Sequence, residues 1–221
     1  GKGTGTLTNN NFVSGDLLAA GTGAGLTGDR STKYLDTGLN DNTLSADDKS
    51  FGVYCTARNT SGGYLIVSRD LNVLMIWDNV DRIDFSLPNS DARYEYSNSD
   101  VSYFLASRRN INDVEFYQNG TSVATDTTTS TYTPDDANWW IFKAQTTAFG
   151  TSNATLTFAH IGTGLTDTDA TNLSLRVNKL MYDLGCSTYI DSGTLAAMGL
   201  DSDVQTYANA VLTAGGNWEG V

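Results

Sequence analysis

The chain is poor in the residues that most often do chemistry. In 221 residues it has one histidine, two cysteines, two prolines and only three glutamates, Glu95, Glu115 and Glu219. A single histidine excludes a His-pair metal site, and any Ser-His-Asp or Cys-His arrangement would have to use His160. That residue lies in the apolar stretch "TFAHIGTG" beside Phe158, which reads as a histidine satisfied in or near a core. Cys55 and Cys186 are far apart and match no metal spacing. Two free, partly buried thiols are the simplest reading, and a disulfide from an early strand to the end of a late helix stays open.

Positive charge is scarce as well. Thirteen basic residues face 25 acidic ones, a net charge of −12. Such a surface repels a phosphate backbone, so nucleic acid is set aside as a partner, and an anionic membrane is disfavoured on the same ground. No apolar run approaches the roughly 18–20 residues of a spanning helix, so no membrane insertion is expected. The opening "GKGTGTLTNNNF" has no apolar signal core, which reads as a chain that is cytoplasmic, already processed or cut from a longer protein. There is no P-loop. The stretch "GTGAGLTG" at 21–28 contains G-x-G with no helix signal behind it, and reads as a loop.

What the chain has in plenty is glycine, threonine, serine and asparagine, a mix suited to many strands joined by tight polar turns. "SFGVYCTAR" alternates Phe51, Val53 and Cys55 against Gly52, Tyr54 and Thr56. "GYLIVSRD" and "LNVLMIWD" are short apolar runs of the kind buried on both faces. "RIDFSL", "VSYFLASRR", "WWIFKAQ" and "ATLTFAHIG" complete a set of ten or more strands. Within "VEFYQNGTSVAT", Asn119-Gly120 is the favoured pair for a type I′ hairpin turn. Val114 and Phe116 point one way there, Glu115 and Tyr117 the other. The hairpin is a structural device first.

A helix is expected over 166–185. Thr166 and Asp169 resemble a capping box, Ala170, Leu173, Val177, Leu180, Met181 and Leu184 form one apolar face, and Gly185 is a C-cap. Arg176, Asn178 and Lys179 are read as its solvated face. A second, shorter helix is expected in the tail, residues 186–221, with Val204, Tyr207, Ala208, Val211 and Leu212 on one stripe before Gly215-Gly216. The organisation is thus an all-β sandwich over 1–185, closed by one helix, followed by a short helical tail at 186–221.

Candidate sites are sparse. A sandwich hydrolase needs two carboxylates about 5–10 Å apart. Asp78, Asp81, Asp84 and Glu95 are the supply, but no E-x-D-x-x-E strand is present, so no catalytic residue is assigned and the chain is read as not an enzyme. Aspartates crowd the early loops, and Asp29, Asp36 and Asp41 are the candidate calcium ligands; no cofactor is required. Sugar binding needs aromatic faces: Trp77, Tyr94, Tyr96, Tyr103, Trp139 and Trp140 are the supply, and Trp77, Tyr94, Tyr96, Tyr103 and Trp139 are the candidates, with Tyr94 and Tyr96 on one strand face. Adjacent Trp139 and Trp140 must face opposite sides of their strand, so at most one belongs to a core.

Three segments carry a family resemblance. "FYQNGTSVAT" resembles the N-G hairpin strand of the laminin-G-like, concanavalin A-like lectin/glucanase superfamily. "FAHIGTGLTDTDATNLSLRVNKLMYDLG" is similar to the final strand and helix of its bacterial and phage branch, and "GLTGDRSTKYLDTGLN" to its early segment. Together they span about residues 22–185. The resemblance implies a two-sheet antiparallel jelly roll; the carboxylate motif of the superfamily's hydrolases and the R-x-E-x-R strand of its lyases are absent. The tail "LDSDVQTYANAVLTAGGNW" is similar to helical segments of phage structural and tail proteins. The implied role is a non-enzymatic virion structural or adhesion module, on a virion surface or otherwise extracellular, with virion proteins, copies of itself or a cell-surface glycan as partners. The alternative is a carbohydrate-binding module of a secreted bacterial protein.

Overall fold

The structure is a computed structural model describing residues 5–18, 23–58, 62–68, 75–79, 82–86, 94–96, 102–129, 133–134, 136–145 and 151–186. In 75–79, 82–86 and 94–96, side chains are described only for Ile76, Ile83 and Phe85. The tail reading therefore lies outside the described residues, Cys186 apart.

Among those residues the strands are β1 (Thr8–Asn10), β2 (Leu17–Leu18), β3 (Gly25–Thr27), β4 (Tyr34–Asn40), β5 (Lys49–Ala57), β6 (Gly63–Val67), β7 (Met75–Asn79), β8 (Arg82–Ser86), β9 (Tyr94–Tyr96), β10 (Ser102–Asn110), β11 (Asp113–Gln118), β12 (Thr121–Asp126), β13 (Asn138–Ile141) and β14 (Thr155–Gly162). One helix, α1 (Asp167–Asp183), follows. The strands form two seven-stranded antiparallel sheets. The front sheet runs β1-β4-β13-β6-β7-β8-β9 and the back sheet β12-β11-β10-β5-β14-β3-β2. This is the antiparallel jelly-roll sandwich that the strand count and turn chemistry imply.

Strand parity explains the layers. On β5, Phe51, Val53 and Cys55 join Phe104, Phe116, Ile66, Phe85 and Trp139 in the core between the sheets. The alternate residue Tyr54 packs with Tyr103, Leu105 and Tyr117 against Ala170, Val177 and Met181 of α1. The back sheet is therefore buried on both sides at its centre, with the helix as a third layer.

The hairpin is as expected. Asn119 and Gly120 both have positive φ, 48° and 83°, and join β11 to β12. Its tip is held by the helix: the Thr171 hydroxyl donates to the Gly120 carbonyl at 3.1 Å. A Cβ at Gly120 would lie 3.0 Å from the Ser174 Cβ. Arg109 ties the helix start down as well, pairing with Asp113 at 2.6 Å and Glu115 at 2.9 Å, and with Asp167.

The helix starts where the capping signal places it, with the Thr166 hydroxyl accepting from the Asp169 N–H at 3.2 Å, and stops at Gly185, φ 68°. Its buried stripe is rotated from the expected one. Ala170, Ser174, Val177, Asn178 and Met181 are buried, while Leu180 and Leu184 are 42% and 48% exposed. Asn178 is thus not on the solvated face. Ser174 takes a core place because the hairpin backbone at Gly120 leaves no room for a longer side chain.

Cys55 and Cys186 are both buried and form no disulfide with each other, lying on opposite sides of the back sheet, and the Cys55 thiol donates to the Ala57 carbonyl at 3.1 Å. No described helix is long and apolar enough to cross a membrane.

Candidate recognition face

The outer surface of the front sheet carries an aromatic pair at its β4–β13 junction. Leu35 packs on the core, so its neighbours Tyr34 and Asp36 lie on the outer face of β4; Trp139 is core, so Trp140 lies on the outer face of β13. Tyr34 and Trp140 stack with ring centroids 4.2 Å apart at 26°. Both are half-buried. Lys143 Nζ sits over the Tyr34 ring, 5.2 Å from its centroid.

Two local irregularities build this cluster. The pairing of β13 with β4 jumps from Asn138↔Asn40 to Trp140↔Asp36, a bulge centred on Gly38 at φ 63°. A second kink follows β13, where Phe142 takes φ 77°. A bulky residue at positive φ is a strained outlier. With regular alternation Phe142 would face outward and Lys143 inward. The kink reverses them: Phe142 is 1% exposed and packs on Phe12 at 5.2 Å, and Lys143 comes to lie over Tyr34.

Polar groups border the pair. Asp36, directly across from Trp140, accepts from the Gly38 N–H at 2.8 Å and from Asn138 Nδ2 at 3.0 Å. The Trp140 Nε1–H is shielded and has no acceptor among the described residues. The arrangement gathers two mutually stacked aromatic rings, carboxamide and carboxylate groups and a cation within one patch.

The residues expected from sequence to contact sugar are placed differently. Tyr103 is fully buried under α1, its hydroxyl 2.8 Å from His160 Nδ1. Burial raises the tyrosine pKa and lowers that of His160 to about 4, so a neutral hydroxyl meets a neutral imidazole. Trp139 is fully buried between the sheets, and its Nε1 donates to Asp41 Oδ1 at 3.1 Å. Neither can present a ring to a ligand at the surface, because the helix covers one and the opposite sheet the other. Trp77 lies in β7 across from Asp84, while Tyr94 and Tyr96 in β9 pair with Phe85 and Ile83. Trp77 is thus in a different cross-strand row from the two tyrosines, and the three side chains lie outside the described residues, as do those of Asp78, Asp84 and Glu95.

The three aspartates do not converge, and among the described residues no group of three His, Cys, Asp or Glu is placed to hold a metal. Asp29 closes its own loop, accepting from the N–H groups of Ser31, Thr32 and Lys33 at 2.8–3.0 Å. Partial burial disfavours its charged form, but those hydrogen bonds outweigh it and hold the carboxyl below the usual range. Asp36 belongs to the β4–β13 patch. Asp41 is buried and pairs with buried Lys49 at 2.7 Å. Sequence reasoning missed Tyr34 and Lys143; it counted Trp140 in the aromatic supply but chose Trp139, since the adjacent tryptophans signalled that one ring faces out, but not which.

No family model and no curated protein sequence matches the chain. Solved structures do. The binding domain of botulinum neurotoxin serotype D superposes with a TM-score of 0.58 at 10% identity, covering 81% of this chain and 48% of that one. The fold is that of these β-sandwich domains. A Trypanosoma rangeli sialidase mutant with trans-sialidase activity gives 0.53 at 10% identity, over 82% of this chain and 30% of that one. The botulinum neurotoxin type G receptor binding domain gives 0.50 at 10% identity, over 67% and 40%. The chain spans less than half the length of each.

Proposed function

We propose that the chain is a non-enzymatic adhesion module that binds a glycan on the Tyr34–Trp140 face, carried on the surface of a phage-type particle. The observation that carries the glycan reading is the half-buried stacked pair flanked by Lys143, Asp36 and Asn138. Pyranose rings present C–H faces to aromatic rings and hydroxyls to side-chain amides and carboxylates, and this patch supplies both. Two similar folds are binding domains of neurotoxins, which supports a recognition role. The non-enzymatic part rests on chemistry: the one histidine is neutral and packed against Tyr103, and the three glutamates make no hydrolase strand.

The virion part rests on the resemblance of residues 158–185 to the bacterial and phage branch of that superfamily and of the tail to helical segments of phage structural and tail proteins. In a secreted bacterial protein the same face would serve as a carbohydrate-binding module, with catalysis elsewhere in the reading frame.

A glycan array on the 221-residue chain tests the glycan reading. Saturable binding that is lost in Trp140→Ala, with the melting temperature lowered by no more than about 2–4 °C, is the expected result. A blank array, or binding indifferent to Trp140→Ala, contradicts it. Finding the chain in purified particles separates the virion setting from the secreted one.

A further inference from the structure

We propose that the Tyr34–Trp140 face is specific for an anionic sugar, a pyranose carrying a carboxylate or sulfate group, and that Lys143 reads that charge. This inference rests on the glycan-binding reading above.

Three observations carry it. First, Lys143 is held by a ring and not, among the described residues, by a carboxylate. Arg58 likewise lies over the Phe104 ring, and Arg30 and Arg176 make no ion pair among the described residues, but Lys143 is the cation at the aromatic pair. Lys33, Lys49, Arg108, Arg109 and Lys179 each sit against a carboxylate. Lys143 sits on the Tyr34 ring, and among the described residues it ion-pairs with no carboxylate, in a chain where acidic residues outnumber basic ones 25 to 13. An ammonium on a π face is held in place by the ring quadrupole yet keeps N–H donors directed outward. Among the described residues it is positioned without being neutralised.

Second, the chain adopts a strained conformation to put it there. Period-two alternation from Trp140 would point Lys143 into the core. The positive φ of Phe142 exchanges the two positions, sending the phenyl ring inward and the ammonium outward. A glycine would adopt φ 77° without strain; a phenylalanine adopts it only where surrounding contacts impose it, and such residues gather at ligand sites. Here the imposing contacts are the Phe12 ring and two backbone hydrogen bonds, from the Phe142 N–H to the Leu65 carbonyl at 3.1 Å and from the Ser152 N–H to the Phe142 carbonyl at 2.7 Å.

Third, the neighbouring negative charge is occupied. Asp36 is tied by the Gly38 N–H and Asn138 Nδ2, so its oxygens already accept hydrogen bonds rather than facing the ligand bare. A sugar stacked on the aromatic pair with its anionic group toward Lys143 meets a cation on one side and a satisfied carboxylate on the other.

The test is calorimetry on the whole chain with three oligosaccharides of equal length: oligogalacturonate, a sulfated galactan and a neutral galactan. At low salt at least one anionic sugar is expected to bind about five- to tenfold tighter than the neutral one, a gap the size of one partly exposed charge contact. Added salt narrows that gap. Lys143→Gln removes it while leaving neutral binding, and Lys143→Arg keeps it. Preference for uronate alone or sulfate alone names the group. Equal binding of charged and neutral sugars, or a gap that survives Lys143→Gln, overturns the inference and leaves the glycan reading standing. Absence of binding to all three, together with a blank array, overturns the glycan reading and this inference with it.

Discussion

The two outer faces of the sandwich carry similar residues and do different things with them. On the back sheet, Tyr54, Tyr103 and Tyr117 lie beneath α1, and each is almost wholly excluded from water. Tyr103 meets His160, and the Tyr117 hydroxyl donates to Asp167 at 2.8 Å. On the front sheet, Tyr34 and Trp140 stack at half-burial with no described helix above them. An aromatic strand residue is therefore neutral information. The covering layer decides whether it is core or contact, and here that layer is one capped helix pinned to a hairpin tip.

Several substitutions break or sharpen that contrast. The largest effect is expected from the adjacent tryptophans. Trp139→Ala empties the inter-sheet core beside Phe51 and strips the Asp41 carboxylate of a donor, and should cost about 3–5 kcal/mol in urea unfolding. Trp140→Ala should cost no more than about 1 kcal/mol. Equal costs would mean that the two faces are not different in kind.

The covered face is also the pH-sensitive one. His160 has a folded pKa of about 4 against an ordinary value of 6.5, because burial disfavours the imidazolium. Between those values the unfolded chain binds a proton that the folded chain does not. Stability is thus full above pH 6.5 and falls as the pH drops toward 4, by an amount on the order of 2–3 kcal/mol. His160→Gln should flatten that part of the profile in chemical denaturation between pH 7 and 4. An unchanged slope would assign the acid sensitivity to other groups.

Gly120→Ala places a methyl group at φ 83° and 3.0 Å from Ser174, and should cost about 1–2 kcal/mol while loosening α1 in hydrogen exchange. Thr166→Ala removes the helix cap for about 1 kcal/mol. Both should leave ligand binding at the front sheet intact, since neither touches it.

Much of the architecture was legible because its rules are local. Period two in "SFGVYCTAR" assigned both faces of β5 correctly, the Asn-Gly pair fixed the β11–β12 turn, and Thr166 with Gly185 bounded the helix. The misreadings come from contacts between segments distant in sequence. The helix turned its stripe toward Ser174 because a hairpin 50 residues earlier needed the space. Alternation showed that one of two adjacent tryptophans faces out, but the side was settled by which β13 residues meet the opposite sheet. The Lys143 position depends on a positive φ at Phe142, and no residue type announces that.

The most direct test of the front-face reading uses the four tryptophans as reporters. Indole N–H signals of the ¹⁵N-labelled chain are assigned by single substitution and followed while a binding glycan is titrated. The Trp140 signal should move with saturation while Trp139 stays still. A Trp77 signal that moves while Trp140 stays still would put the ligand on β7 and contradict the reading.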